Sequence, residues 1–223
     1  MSDSDWTRAA AIGVGIAGLG CVAVSRSIYH PRLQHITSAP YRRLTELSDV
    51  SRDQSIYCKI HGRVEGERYI SAPLSGKNVV LWRLRHWSNP FLQTKDTPMW
   101  IMEGNEKVSV DIKGASFNLD ESDYLSSIEH IIEAGSPAFI VGEIIKNDAG
   151  AFVIRQPQDG RPFIFSTKSE QETVQQLRNL KYTWLAVGGI LIAGSLARLL
   201  VFGEDAVIPK WLESFVVAIH SHR

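Results

Sequence analysis

Charge is missing from two stretches of the chain, 9–25 and 182–197, and is spread through nearly all the rest. This pattern limits the fold more than any average does. Overall, Lys+Arg 24 balances Asp+Glu 24 and the mean hydropathy is −0.08, which taken alone describes a soluble globular protein. The average conceals two unlike populations. With 44% apolar and 22% charged residues, the chain is not a disordered segment, a disulfide-stapled miniprotein or a polybasic nucleic-acid binder. Its two cysteines, Cys21 and Cys58, form no CxxC pair, so they build no zinc knuckle, RING or ferredoxin site. A disulfide between them would have to join the first apolar stretch to the polar middle.

The first stretch is flanked by Arg8 and Arg26. As a helix it spans ~25 Å, a little short of a ~30 Å hydrocarbon layer, but flanking arginines reach the headgroups. The competing reading is a cleaved signal peptide with small residues at Ala23 and Ser25. Asp3 and Asp5 oppose it, because such leaders begin basic. The second stretch, 182–202, carries one charge, Arg198, and opens with Tyr182 and Trp184 just after Lys181, which suits an interfacial belt. Its competing reading is the buried helix of a soluble core. Ala9, Gly13, Ala17 and Cys21 form one row at four-residue spacing, and Gly189, Ala193 and Ala197 form another. Such rows let helix backbones approach in lipid, so Gly13, Ala17, Gly189 and Ala193 are candidate helix-packing residues, towards each other or a partner. General Gly/Ala enrichment of membrane helices explains the rows equally well. Gly13 to Gly18 also matches GxGxxG, but no strand precedes it, so it is no dinucleotide fingerprint.

The middle reads as an α+β, β-rich soluble domain with a short helix. The expected organisation is a transmembrane helix at 8–26, the domain at 27–181, a second transmembrane helix at 182–202 and an amphipathic tail at 203–223. Within 29–50 a short helix is expected, capped by Ser38, with Pro40 in its first turn and Leu44 and Leu47 on one face. Ile56, Cys58 and Ile60 alternate with polar residues as a strand. Around residues 79–87, Val80, Trp82 and Leu84 fall on one face, with Arg83 and Arg85 on the other. Further strands are expected at 99–102, 108–112, 117–119, 139–145, 152–154 and 163–165. The stretch 120–134 reads as a helix capped by Asp120, with Tyr124, Leu125, Ile128, Ile131 and Ile132 as its stripe and Gly135 and Pro137 ending it. Ser169 with Glu172, or Thr167 with Glu170, makes a capping box for a helix that runs on into the second apolar stretch. In the tail, Ile208, Trp211, Leu212, Phe215, Val216 and Ile219 keep helical spacing, as in a helix lying on a membrane or a partner.

No chemistry-bearing motif emerges. P-loop, SxxK, GxSxG, HExxH and paired-carboxylate patterns are all missing, so no catalytic, cofactor-binding or metal residue is assigned. His61, His86 and His130 read as surface or locally bonded histidines, and His220 with His222 as a solvated tail. Arg83, Arg85 and His86 form a small basic row beside Trp82 and Trp87. An anion or lipid headgroup is one reading of it and a solvated sheet face the other. Arg83, Arg85, Trp211 and Phe215 are the candidate partner or lipid contacts.

Two blocks carry a family resemblance. One is Ile60-His61-Gly62-Arg63-Val64 with Pro73-Leu74-Ser75-Gly76-Lys77-Asn78-Val79-Val80-Leu81-Trp82-Arg83 and Trp87. The other is Val141-Gly142-Glu143 through Gln156-Pro157, Gly160 and Phe163-Ile164-Phe165-Ser166 into the second apolar stretch. In these the chain resembles the GIDE family, whose "beside a membrane" (BAM) domain lies between two membrane helices in the mitochondrial and plastid outer-membrane RING ubiquitin ligases. The ligases place a zinc RING after the second helix, whereas this chain has no cysteine after Cys58. The resemblance therefore implies an anchored interaction domain in a mitochondrial or plastid envelope membrane (a bacterial membrane being the other setting) and not ligase chemistry. Family analogy puts the domain in the intermembrane space. The arginines flanking it, by the positive-inside rule, favour the opposite side. The expected function is a non-catalytic accessory or scaffold subunit of an organellar membrane complex. The alternative is an adaptor or regulator in ubiquitin-linked quality control. The expected partners are membrane lipids, other membrane-protein subunits and a quality-control partner, with no nucleic acid and no cofactor.

Overall fold

The computed structural model describes residues 3–51, 54–86, 89–119, 121–124 and 127–201. They fall into two compact units. One takes the chain up to Tyr29 together with the chain from Asn179, and the other is His30–Arg178.

The first unit contains helix α1 (Asp3–Val24), a π-helical turn (Ser25–Tyr29) and the later part of helix α3 (Glu170–Val201). Both helices are long and apolar enough to cross a membrane, and only 17% and 11% of their most apolar windows are buried. A soluble core helix would be mostly buried. Here Ile16, Ile190, Val187 and Leu196 are exposed instead.

The second unit begins with helix α2 (His30–Ser38) and a 3-10 helix (Leu44–Asp49). The sequence expectation of Ser38 as an N-cap is corrected: Ser38 ends α2, and Pro40 lies in the link that follows. Leu44 and Leu47 do share a buried face, at the spacing of a 3-10 turn.

Twelve strands follow among the described residues. Strand β1 (Ile56–Gly66) leads to β2 (Ile70–Ser71), β3 (Asn78–His86), β4 (Asn89–Asp96), β5 (Met99–Glu103) and β6 (Glu106–Val110). Then come β7 (Ser116–Asn118), β8 (Glu121–Tyr124), β9 (Ser127–Glu133), β10 (Pro137–Lys146), β11 (Phe152–Arg155) and β12 (Ile164–Ser166). One sheet runs β1-β5-β6-β11-β10-β12-β7, and a β1–β10 pairing closes five of its strands into a barrel. Within the barrel β6 and β11 run parallel and every other neighbour is antiparallel. This is the strand order of an OB-type Greek-key barrel. The other sheet runs β2-β3-β9-β8, with β4 also on β3. Its strands are inserted between the first two and the third and fourth strands of the barrel.

Alternation explains the barrel. Cys58, Ile60 and Val64 from β1, with Ala138, Ile140 and Ile144 from β10, point into one core with Ile101, Val108 and Ile154. Strand β10 is buried on both faces: Phe139 and Val141 pack outward against Ile36 of α2 and Val174 and Leu177 of α3. A continuous apolar run is what such a strand requires.

The expected helix at 120–134 is also corrected, since β8 and β9 occupy that stretch. Ser127, Glu129 and Ile131 are the buried alternate positions of β9. Two of the three are polar, so the strand shows no apolar alternation, while its isoleucines fall at helix-like spacing. In β3 a register irregularity between Val79 and Leu81 turns the chain, so Val80 and Leu81 both join the main core and Trp82 joins a small cluster with Ala72, Val79 and Ile131. Simple alternation had placed Val80 and Trp82 on one face.

Candidate functional site

In the helical unit α1 and α3 pack antiparallel along a seam of small and hydroxylated residues. The Ser195 hydroxyl donates to the Ala11 carbonyl at 2.7 Å, and the Ser25 hydroxyl to the Lys181 carbonyl at 3.0 Å. Midway between them Gly18 meets Gly188. A Cβ on Gly18 would lie 2.9 Å from the Gly188 carbonyl oxygen, and one on Gly188 2.8 Å from that of Gly18. Both helices thus repeat every seven residues, which suits a left-handed helix pair. Gly13, Ala17, Gly189 and Ala193 are exposed and stand off this seam, and a Cβ on Gly13 or Gly189 would meet nothing. The seam rests on Gly18 and Gly188 because close backbone approach there lets both serine hydroxyls reach a carbonyl across it.

In the β-rich unit the Pro73-to-Lys77 turn is tied to the second sheet by a buried carboxylate. Glu129 is 0% exposed, and its two oxygens accept from the backbone N–H groups of Leu74 and Ser75 at 2.9 and 3.0 Å. The turn covers the Trp82 face of β3. Glu129 was invisible as a functional position in the sequence, because it looked like an exposed helix residue.

A second polar cluster joins the barrel to α3. Lys59 on β1 contacts Glu170 at 2.5 Å, and His61 lies 3.7 Å from the same carboxylate. The His61 ring also packs against Tyr41 and Phe139, so it is locally bonded as expected. Ser169 and Glu172 form the capping box, with the Ser169 N–H donating to Glu172 at 2.9 Å and the Glu172 N–H to the Ser169 hydroxyl at 3.2 Å. Of the two boxes the sequence allowed, this is the one formed, while Glu170 serves Lys59.

Burial pushes the Cys58 thiol up to about 11 and the Tyr57 hydroxyl up to about 12. Cys58 therefore stays a protonated core thiol, inert as nucleophile or ligand. Among the described residues no group of three or more His, Cys, Asp or Glu is placed to hold a metal.

Arg83 and Arg85 have different surroundings. Arg85 is exposed on β3. Arg83 is half-buried, its guanidinium 4.6 Å above the Phe117 ring, and it lines a cavity of about 380 Å³ between the β3–β4 hairpin and strands β5 to β7. Trp87, Trp211 and Phe215 lie outside the described residues, as does the whole of the expected tail helix.

The GIDE family model, described as E3 ubiquitin ligase, matches residues 93–202. This stretch runs from within β4 through the barrel's later strands and along α3, and over it the chain is similar to the GIDE family, the family the resemblance pointed to. The first resemblance block, with Arg83, lies before the matched span. Among curated proteins none matches the chain.

Proposed function

We propose that the chain is a membrane-anchored, non-catalytic adaptor of ubiquitin-linked protein quality control, holding a client protein for a separate ligase. The GIDE match over 93–202 carries this reading, taken with the two cysteines, Cys21 and Cys58, of these 223 residues. A RING needs two full sets of zinc ligands, and Cys58 is a buried core thiol. The exposed apolar surfaces of α1 and α3 support insertion in a bilayer, and an organellar envelope membrane is the setting we favour.

Two measurements test it. Purified chain incubated with activating enzyme, a panel of conjugating enzymes and ubiquitin should assemble no ubiquitin chains, and proximity labelling in cells should return a ligase. Chain assembly by the protein alone would overturn the non-catalytic reading. A neighbourhood without ligase or quality-control proteins would overturn the adaptor reading.

A second reading, an accessory subunit of a membrane complex, is favoured by the small-residue surfaces left outside the seam. Gly13 and Ala17 on α1, and Gly189 and Ala193 on α3, are free to receive further helices. Native electrophoresis after gentle solubilisation separates the two: a discrete large complex favours the subunit, and migration as a lone small protein opposes it.

A further inference from the structure

We propose that the cavity beside β3 binds a small amphiphilic monoanion, a carboxylate on a short apolar body, with Arg83 as its anchor. This site stands apart from the adaptor reading and would exist whether or not that reading holds.

Three features of the cavity point to such a ligand. Arg83 is half-buried, yet among the described residues no carboxylate or hydrogen-bond acceptor engages it, and its guanidinium lies over the face of Phe117. Burial lowers its pKa. A cation drawn from water without an anion costs free energy that a bound carboxylate recovers through a charge-assisted, bidentate contact. Its place over Phe117 holds the guanidinium in the wall of the cavity.

The second feature is Thr97. It is 1% exposed, it lines the cavity, and its hydroxyl is buried without a hydrogen-bond partner. Such a group is normally satisfied, so the wall of the cavity holds an unmet hydrogen bond at Thr97. The third is the rest of the lining. Met99, Val110 and Ile112 supply an apolar wall for the body of the ligand. The volume lies at the low end of the ~300–1,000 Å³ usual for small-molecule sites.

The rim limits the charge. Lys113 adds one cation, but Asp96 and Asp111 are exposed at the same opening. With Arg83 the four groups sum to zero, so the attraction for an anion is local to the Arg83 fork, and a polyanion would meet the two rim carboxylates. The turn over 112–115 keeps the opening shaped. Gly114 has φ +74° with the Gln156 side chain laid against it, where a Cβ would collide with Gln156 Oε1. Only glycine serves there.

The experiment uses the full chain in nanodiscs and titrates 4-phenylbutyrate by isothermal calorimetry. Two further probes are 4-phenylbutan-1-ol, which keeps the body without the charge, and inorganic phosphate, which keeps charge without the body. We expect saturable one-to-one binding of 4-phenylbutyrate, at least tenfold weaker binding of either other probe, and at least tenfold loss in Arg83→Gln. Arg85→Gln should bind as the native chain does. Asp96→Asn, an exposed change with no bearing on folding, should tighten binding several-fold, which keeps the test decisive if Arg83→Gln fails to fold. No saturable binding of 4-phenylbutyrate would overturn the proposal. So would equal loss in Arg83→Gln and Arg85→Gln, or unchanged affinity in Asp96→Asn. Tighter binding of a blocked Phe-Glu dipeptide than of the free acid would overturn it in favour of a partner's acidic side chain.

Discussion

The two units of this protein bury opposite kinds of residue. The β-rich unit follows the rule for water: Ile60, Ile101, Ile140 and Phe165 lie inside, and charged side chains such as Lys77 and Glu133 lie outside. In the helical unit the buried positions include Ala11, Gly18, Ser25, Gly188 and Ser195, while Ile190 is 71% exposed. Hydrophobic burial stabilises the first unit. In the second it contributes little between the helices, so close backbone approach and buried hydroxyl bonds take its place. A surface of this kind is stable only where its surroundings are as apolar as the side chains, which is the physical basis for proposing a bilayer.

If the contrast is right, the largest effect belongs to the barrel core. Ile140→Ala should cost about 2–5 kcal/mol, read as a lowered denaturation midpoint of the β-rich unit. The helical seam has no residue of that weight. Gly18→Leu should instead disrupt it by overpacking, at about 1–3 kcal/mol, with Gly188→Leu similar and Gly13→Leu near neutral. Cysteine cross-linking between α1 and α3 in detergent measures this, and equal effects of the Gly13 and Gly18 changes would break the seam assignment.

Polar contacts give the next step down. Glu129→Gln puts an amide N–H₂ towards backbone donors and should cost about 1–3 kcal/mol, with the 73–77 turn losing protection from hydrogen exchange. Ser195→Ala should weaken the helix pair by only about 0.6 kcal/mol, by the same cross-linking assay.

The smallest effect is a pH dependence. The Ser169 hydroxyl, and then its backbone N–H, hold the Glu172 carboxyl below its ordinary value of 4.5. A carboxylate whose folded pKa is depressed lends stability above its unfolded pKa and loses it as pH falls through the folded one. Thermal midpoints of the native chain should therefore drop slightly more than those of Glu172→Gln below about pH 4.5, and identical slopes would remove the capping box from the account.

Some of this was open to reading in the residues alone. The two charge-free stretches, the inward alternation of Ile56, Cys58 and Ile60, the Leu44 and Leu47 face and the Ser169–Glu172 box depend on neighbours a few residues apart. Strand β9 misled because its inward positions carry Ser127 and Glu129, whose burial makes sense only beside distant partners, His86 for Ser127 and the turn at Leu74 and Ser75 for Glu129, all more than forty positions earlier. Arg83 and Arg85 looked alike for a similar reason. Phe117 and Thr97 lie on other segments, and only the folded chain brings them to Arg83 and not to Arg85.

The sequence by itself determined where the chain is apolar enough for a membrane, that a β-rich unit lies between, and which family its later part resembles. Hydropathy, alternation and capping are local properties and survive without coordinates. The tertiary structure alone decided that five strands close into a barrel, that β3 slips register, that Gly18 rather than Gly13 faces α3, and that one arginine is half-buried against Phe117. Each of those depends on which distant backbone comes within a few ångströms, and a linear pattern holds no record of that distance.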